Sequence, residues 1–277
     1  MKKLAIITLH GMGNHTQGYE QAFQQALTAQ VSDTLGQRTA QQLEFIPVTY
    51  GPILQQPQDA LWQAMLQEPS NNLDYQSLRE FLLYGLGDAG SLAYSAHRQP
   101  QKYLAVQETI VAALTRAFET LRSPDKPLNP NKPVILVAHS LGCQVLANYL
   151  WDVQHKRYLC DAYSQANPQL CEFLKLSSAI GLVTLGCNIP LFTAGLDERR
   201  CFNKPNADFQ WLNIYDPDDV LGWPLKQLGP SFEWVQDKPL QVGNLLSGWT
   251  PLSHSAYWND KKVLASITPL IKQALTG

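Results

Sequence analysis

The residues of this chain best suited to covalent chemistry are one serine, one histidine and a group of aspartates in its C-terminal half. Ser140 stands in Ala138-His-Ser-Leu-Gly142, after the apolar run Val134-Ile-Leu-Val-Ala138 and before a stretch that reads as a helix from Leu141 to about Lys156. A serine on a tight strand-to-helix turn presents its Oγ at the edge of a sheet. Its neighbours two positions away on either side must then be small, or the chain cannot close so sharply. Ala138 and Gly142 meet that requirement, with Ala138 standing where a glycine is usual. The turn also places Ser140 at a helix N-terminus, where backbone N–H groups and the helix dipole favour negative charge. The alternative use of a serine here is simply to cap the Leu141 helix.

A serine hydroxyl is a weak nucleophile near neutral pH until a base removes its proton. Of the six histidines, His10 and His15 belong to a loop after the first apolar run, and His139 adjoins the serine too closely to act as its base. His155 ends the following helix and His97 lies in a long intervening stretch. His254, in Ser253-His-Ser-Ala-Tyr-Trp258, alone follows the last strand region, where the chain order serine, acid, histidine places a base. The acid is sought between the two. Asp216, Asp218 and Asp219 end the run Trp211–Tyr215, while Asp197 and Asp237 lie further off. The spacing Asp218-x-Val220 ranks Asp218 first, Asp216 second and Asp219 third. Acyl transfer also needs two N–H donors for the developing oxyanion. One falls to Leu141, next to the serine, and the other to Met12 in His10-Gly-Met-Gly13. Gly11-x-Gly13 after a strand could instead open a dinucleotide loop. That motif wants a third glycine where Thr16 stands, and a strand-end acid about 20 residues on, which is missing.

Composition sets the bounds for the elements that must position these groups. A chain of 277 residues, 45% hydrophobic and 16% charged, can bury one substantial core. A formal charge of −2 offers no basic excess to nucleic acid or to an anionic membrane. The run Leu4–Leu9 after Met-Lys-Lys is six residues long and stops at His10-Gly11, shorter than a secretory apolar region. It reads as a strand, and a cytoplasmic location is expected. No run of about 18 apolar residues predicts a transmembrane helix. Cys143, Cys160, Cys171, Cys187 and Cys201 are odd in number and lack a C-x-x-C pair. They predict buried reduced thiols rather than a disulfide framework or a zinc site.

The pattern predicts strands at Leu4–Leu9, Leu43–Val48, Val134–Ala138, Ile180–Leu185 and Trp211–Tyr215, with helices at Gln17–Leu35, Leu141 to about Lys156 and Asp260–Leu275. Continuous apolar strands alternating with helices give an α/β fold with a mostly parallel central sheet covered on both faces. Residues 52 to about 122 exceed one crossover. Lys102–Leu121 supplies the crossover helix. The part from about 52 to 100 reads as a helical cap whose pattern is broken by Gly85, Gly87 and Gly90. A lid-like loop is expected at about 190–206. No linker separates domains, so residues 1–277 read as a single domain.

With these landmarks in order, the sequence resembles the lipase/esterase branch of the α/β-hydrolase superfamily of serine hydrolases. His10-Gly-Met-Gly13, Ala138-His-Ser-Leu-Gly142, Asp218-Asp-Val220 and His254 carry the resemblance. The segment Asp218-x-Val220-x-x-x-Pro224 is similar to the acid segment of triacylglycerol-lipase-like enzymes and of DDHD-type phospholipases. The chain departs from the family in beginning at what resembles its third strand, and in an insertion at 52–100 like no familiar lid. The resemblance implies an esterase or lipase-like enzyme that cleaves carboxylic esters through an acyl-enzyme on Ser140. His254 would shuttle the proton, Asp218 would orient it, and Met12 and Leu141 would hold the oxyanion. Neither a metal nor an organic cofactor is required. The partner would be a small-molecule ester. Lipids are among the candidates, because the cap is rich in Leu, Tyr and Trp and because Trp223, Trp234, Trp249 and Trp258 neighbour the acid and base segments. A thioesterase or amidase using the same triad, and a non-catalytic binding module on the same fold, stay open as alternatives.

Overall fold

The computed structural model describes residues 1–11, 18–98, 100–121, 133–155, 161, 163, 166–243 and 253–276, without the side chains of 81, 86, 89, 91–98, 100, 253 and 255. Six parallel strands form one sheet: β1 (Leu4–Leu9), β2 (Leu43–Val48), β3 (Val134–His139), β4 (Ala179–Leu185), β5 (Gln210–Tyr215) and β6 (Gln236–Pro239). Their order is β2-β1-β3-β4-β5-β6. Helices α1 (Gln21–Leu35), α2 (Gln37–Ala40), α3 (Gly51–Gln67), α4 (Gln76–Arg98), α5 (Pro100–Thr120), α6 (Leu141–Gln154), α7 (Pro168–Leu174), α8 (Ile189–Thr193) and α9 (Lys261–Thr276) surround it. The fold is α/β, as the alternation of strands and helices predicts. Among the described residues no helix is long and apolar enough to cross a membrane.

The sheet has an apolar layer on each face because successive side chains of a strand point to opposite sides. Ala5, Ile7 and Leu9 of β1, with Leu136 of β3 and Leu182 of β4, pack beneath Leu54 of α3, Leu114 of α5, Leu146 of α6 and Phe173 of α7. Leu4, Ile6, Ile135, Val137 and Val183 face Phe23, Leu27 and Val31 of α1 and Ile267 and Ile271 of α9. Every residue of β1 and β3 is buried, which explains why both strands read as unbroken apolar runs.

The order of the strands also locates a topological switch point. The chain leaves β1 to one side for β2 and returns to the other side for β3, so the connections diverge at the carboxyl ends of β1 and β3. Ligands of open α/β sheets bind outside such a switch point. Leu9 pairs with Ala138, which sets His10-Gly11 abreast of His139-Ser140.

Several elements differ from the sequence expectation: the short helices α2 and α7 were not expected, and α8 begins the stretch expected to be a lid-like loop. α4 runs unbroken through Gly85, Gly87 and Gly90. Gly87 serves close approach: a Cβ on it would lie 3.1 Å from Nε2 of Gln58, which donates to the buried Asp88 carboxylate at 2.8 Å. β6 was not expected, because Gln236-Asp-Lys-Pro239 lacks an apolar pattern. It is an edge strand, where lysine and proline are tolerated and discourage further pairing. Pro47 is accommodated in β2, the strand at the opposite edge. Residue 17, expected to open the first helix, residue 156 and the Pro-rich turn before β3 up to residue 132 lie outside the described residues.

Candidate active site

β3 ends at His139 and α6 begins at Leu141, leaving one residue to reverse the chain. Ser140 does so with φ 51° and ψ −122°, a left-handed conformation that costs a non-glycine residue of order 1–3 kcal/mol. Its N–H donates to the Leu185 carbonyl of β4 at 3.0 Å, locking the turn to the sheet. The side chain makes no capping bond to α6, so the capping role does not account for it. Small neighbours are required for a reason that can be measured. A Cβ at Gly142 would lie 2.5 Å from the His10 backbone oxygen, and one at Gly11 would lie 2.8 Å from both Ser140 Cβ and His139 Nδ1. The loop after β1 therefore passes directly against the serine.

His254 sits in a short 3-10 segment, Ser253–Asn259, just before α9. Its Nδ1 donates to Asp219 Oδ2 at 2.8 Å, with both side chains buried. Burial alone would raise the Asp219 pKa. The hydrogen bond and charge of His254, the Leu221 N–H and the Tyr257 hydroxyl outweigh it and hold the carboxyl below the usual carboxylate range. An ionised Asp219 accepts only, so in the neutral imidazole the proton is held on Nδ1 and Nε2 is the acceptor nitrogen. Gly186, with φ 53°, follows the Leu185 that binds Ser140, and a Cβ on it would lie 3.0 Å from His254 Cε1 and 3.1 Å from Asp219 Oδ2. Leu185-Gly186 at the carboxyl end of β4 is thus flanked by the serine on one side and by the imidazole–carboxylate pair on the other. Among the described residues Ser140 Oγ and His254 Nε2 are both buried without a hydrogen-bond partner.

The imidazole's partner is Asp219, which the sequence ranks third, and not Asp218. The turn explains the difference. The Asp219 N–H donates to the Asp216 carbonyl at 3.0 Å, which makes Pro217 and Asp218 the two corners of a β-turn. Asp218 is exposed and offers the others only its N–H, to Asp216 Oδ1 at 3.0 Å. Asp216 is buried but spent on backbone, accepting also from Val242 N at 2.6 Å. Asp237 likewise fixes Leu225 and Lys226 through their N–H groups. Proline after aspartate is itself a turn signal, and reading it would have put Asp218 at an outward corner.

Leu141 opens α6, where the first backbone N–H groups have no intrahelical partner. Met12, the expected second donor, lies outside the described residues, as do His15 and Trp249. His10 is a framing residue: its Nε2 accepts from the N–H groups of Tyr50 and Gly51, and its ring stacks on Tyr50 at 4.2 Å. This ties the end of β1 to the start of α3.

Three residues escape the sequence reading. Tyr257 donates to Asp219 Oδ2 at 2.8 Å and accepts from the Asp216 N–H at 2.8 Å. Burial, then the Asp219 charge, drive its pKa far up, so it remains a donor. His139 Nε2 bonds the His254 backbone oxygen and so anchors that residue's main chain. Asn188, fully buried just beyond β4, has neither amide atom paired among the described residues. Only the three-residue step from His254 to Tyr257 carried a local signal. Of the tryptophans expected near the acid and base segments, Trp258 lies 5.7 Å, ring to ring, from His139. Trp258 packs against Phe23, Trp234 belongs to the Phe202–Phe209–Trp211 cluster, and Trp223 is exposed. Cys143, Cys171, Cys187 and Cys201 are buried thiols; Cys160 lies outside the described residues.

No protein-family model matches this chain, and no curated protein matches it.

Proposed function

We propose that this protein is a serine hydrolase that cleaves carboxylic esters through an acyl-enzyme on Ser140. The observation that carries the reading is the buried His254–Asp219 bond, with the opposite imidazole nitrogen and the Ser140 hydroxyl buried without a hydrogen-bond partner among the described residues. The chain order of serine after β3, acid after β5 and base after β6 fits a triad on an α/β scaffold.

In this mechanism Ser140 Oγ attacks the ester carbonyl carbon as its proton passes to His254 Nε2. The charge that gathers on the carbonyl oxygen is held by the Leu141 N–H, with Met12 as the proposed second donor. Asp219 stays ionised and stabilises the imidazolium without taking its proton. Collapse breaks the bond to the leaving oxygen, which departs as an alcohol with the proton from Nε2. Water, activated by the same nitrogen, then attacks the acyl carbon and releases the carboxylic acid. No metal or cofactor enters any of these steps.

The cap, proposed at about 52–100, buries Gln55, Gln58 and Asp88, so a purely apolar roof over the site is not part of this reading. Turnover of p-nitrophenyl esters is the test. Ser140→Ala should abolish it, and His254→Ala should reduce kcat at least about 10⁴-fold. Near-normal turnover by either variant would overturn the assignment.

A further inference from the structure

A second site lies along the helix that starts at the serine. Gln144, Ala147, Asn148 and Trp151 are one stripe of α6, spaced as neighbours on a helical face. Opposite them the chain after β4, including α8, closes a cleft of about 250 Å³. Trp151, Ile189, Phe202, Trp211 and Phe232 give it an apolar wall, and half-exposed Leu196 stands at its side. At about 30 Å³ per water, the space equals about eight waters. It has room for a short alkyl chain lying along the apolar wall.

The same cleft carries charge of one sign. Arg199 and Arg200 are the charged residues in its wall. Arg200 is neutralised by Glu198, which takes both Nε and Nη2 at 2.8 and 2.9 Å. Arg199 is different. Its Nε and Nη2 donate to the backbone oxygens of Thr193 and Ala194 at 2.9 and 2.6 Å, and it has no carboxylate partner among the described residues. Two carbonyls hold the guanidinium in place while leaving its charge uncompensated. A guanidinium so fixed is preorganised for a carboxylate. Burial pushes the Cys201 thiol up to about 12, so the sulfur in this wall is neutral and does not repel an anion.

We infer that this cleft binds a linear amphiphilic carboxylate, with its alkyl chain against Trp151 and Trp211 and its carboxylate on Arg199. The inference does not depend on hydrolysis at Ser140, and a Ser140→Ala protein should bind such a ligand equally well.

The test is calorimetric titration of the full chain with butanoate, octanoate and octanol, each below its aggregation threshold. Octanoate should bind saturably at one site, at least about tenfold more tightly than butanoate, which lacks the chain, and than octanol, which lacks the charge. Arg199→Gln should erase the advantage of octanoate over octanol. Ala147→Phe, which fills the cleft from a half-buried helix position, should abolish binding of both. The comparison of octanoate with octanol on unaltered protein stands even if Arg199→Gln loosens the loop after α8. Equal affinity for octanoate and octanol, or no saturable octanoate binding, overturns the proposal. So does octanoate binding that survives Ala147→Phe. Loss of ester turnover in Ser140→Ala with octanoate binding intact would leave both proposals standing, and failure of one does not imply failure of the other.

Discussion

Replacing Asp219 by asparagine tests the choice of acid most sharply, because the alternative acid lies one residue away. Three donors converge on the Asp219 carboxylate: His254 Nδ1 and the Tyr257 hydroxyl on Oδ2, both at 2.8 Å, and Leu221 N on Oδ1 at 3.0 Å. An amide cannot accept at both ends. If its nitrogen takes the Oδ2 position, it faces two donors and drives the imidazole to the wrong tautomer. If its nitrogen takes the Oδ1 position, it opposes the Leu221 N–H and offers His254 only a neutral acceptor. Loss of tautomer control and of imidazolium stabilisation costs triads about 10⁴-fold in kcat, or about 5.4 kcal/mol of barrier. Asp218→Asn alters an exposed corner that bonds through its backbone N–H, so stability should stay within about 0.5 kcal/mol and kcat within about twofold. Steady-state hydrolysis of a p-nitrophenyl ester separates the two. The same pair has a thermal readout. The Asp219 pKa lies below its ordinary value in the folded protein, so on acidification the unfolded chain takes up the proton first. The stabilisation is complete above the ordinary carboxylate value and is lost as pH falls through the lower folded value. Wild type should therefore lose more Tm than Asp219→Asn as pH falls below about 4. Retention of wild-type kcat by Asp219→Asn, or a collapse of kcat in Asp218→Asn, would refute the assignment.

Three further variants probe the frame. Tyr257→Phe removes a donor from Asp219 and strands the buried Asp216 N–H, and should cost about 1–3 kcal/mol in urea unfolding along with a clear loss of kcat. Ser140→Gly relieves the left-handed backbone that Ser140→Ala retains, so the glycine variant should be the more stable of the two inactive proteins by about 1 kcal/mol by calorimetry. Gly142→Ala forces a Cβ to within 2.5 Å of the His10 backbone oxygen, which cannot swing aside. Denaturation should show a loss of more than about 1–3 kcal/mol, and wild-type stability would contradict the close approach of α6 to β1.

The strands were legible wherever burial on both faces made them continuous apolar runs, as in Leu4–Leu9 and Val134–Ala138. Gln236–Pro239 was not, since an edge strand needs neither continuity nor alternation. Ser140 and His254 could be singled out as candidates because each follows a strand in a fixed chain order. The carboxylate that bonds His254 could not, because three aspartates fall within one tight turn and a family-like spacing pointed to its outward corner. What separates Asp219 from Asp218 is a single turn bond, Asp219 N–H to Asp216 O. Tyr257 and His139 act on groups that belong to other strands or turns, and beyond the three-residue step from His254 to Tyr257 such contacts leave no periodic trace in a sequence.

The central claim is that Ser140 is an activated nucleophile. Incubating the folded protein with a fluorophosphonate and weighing it intact tests this most directly. The account predicts one adduct per wild-type chain, mapped to the peptide containing Ser140, absent from Ser140→Ala and formed far more slowly by His254→Ala. Folded wild-type protein that forms no adduct, or a Ser140→Ala protein that reacts as fast as wild type, would contradict it.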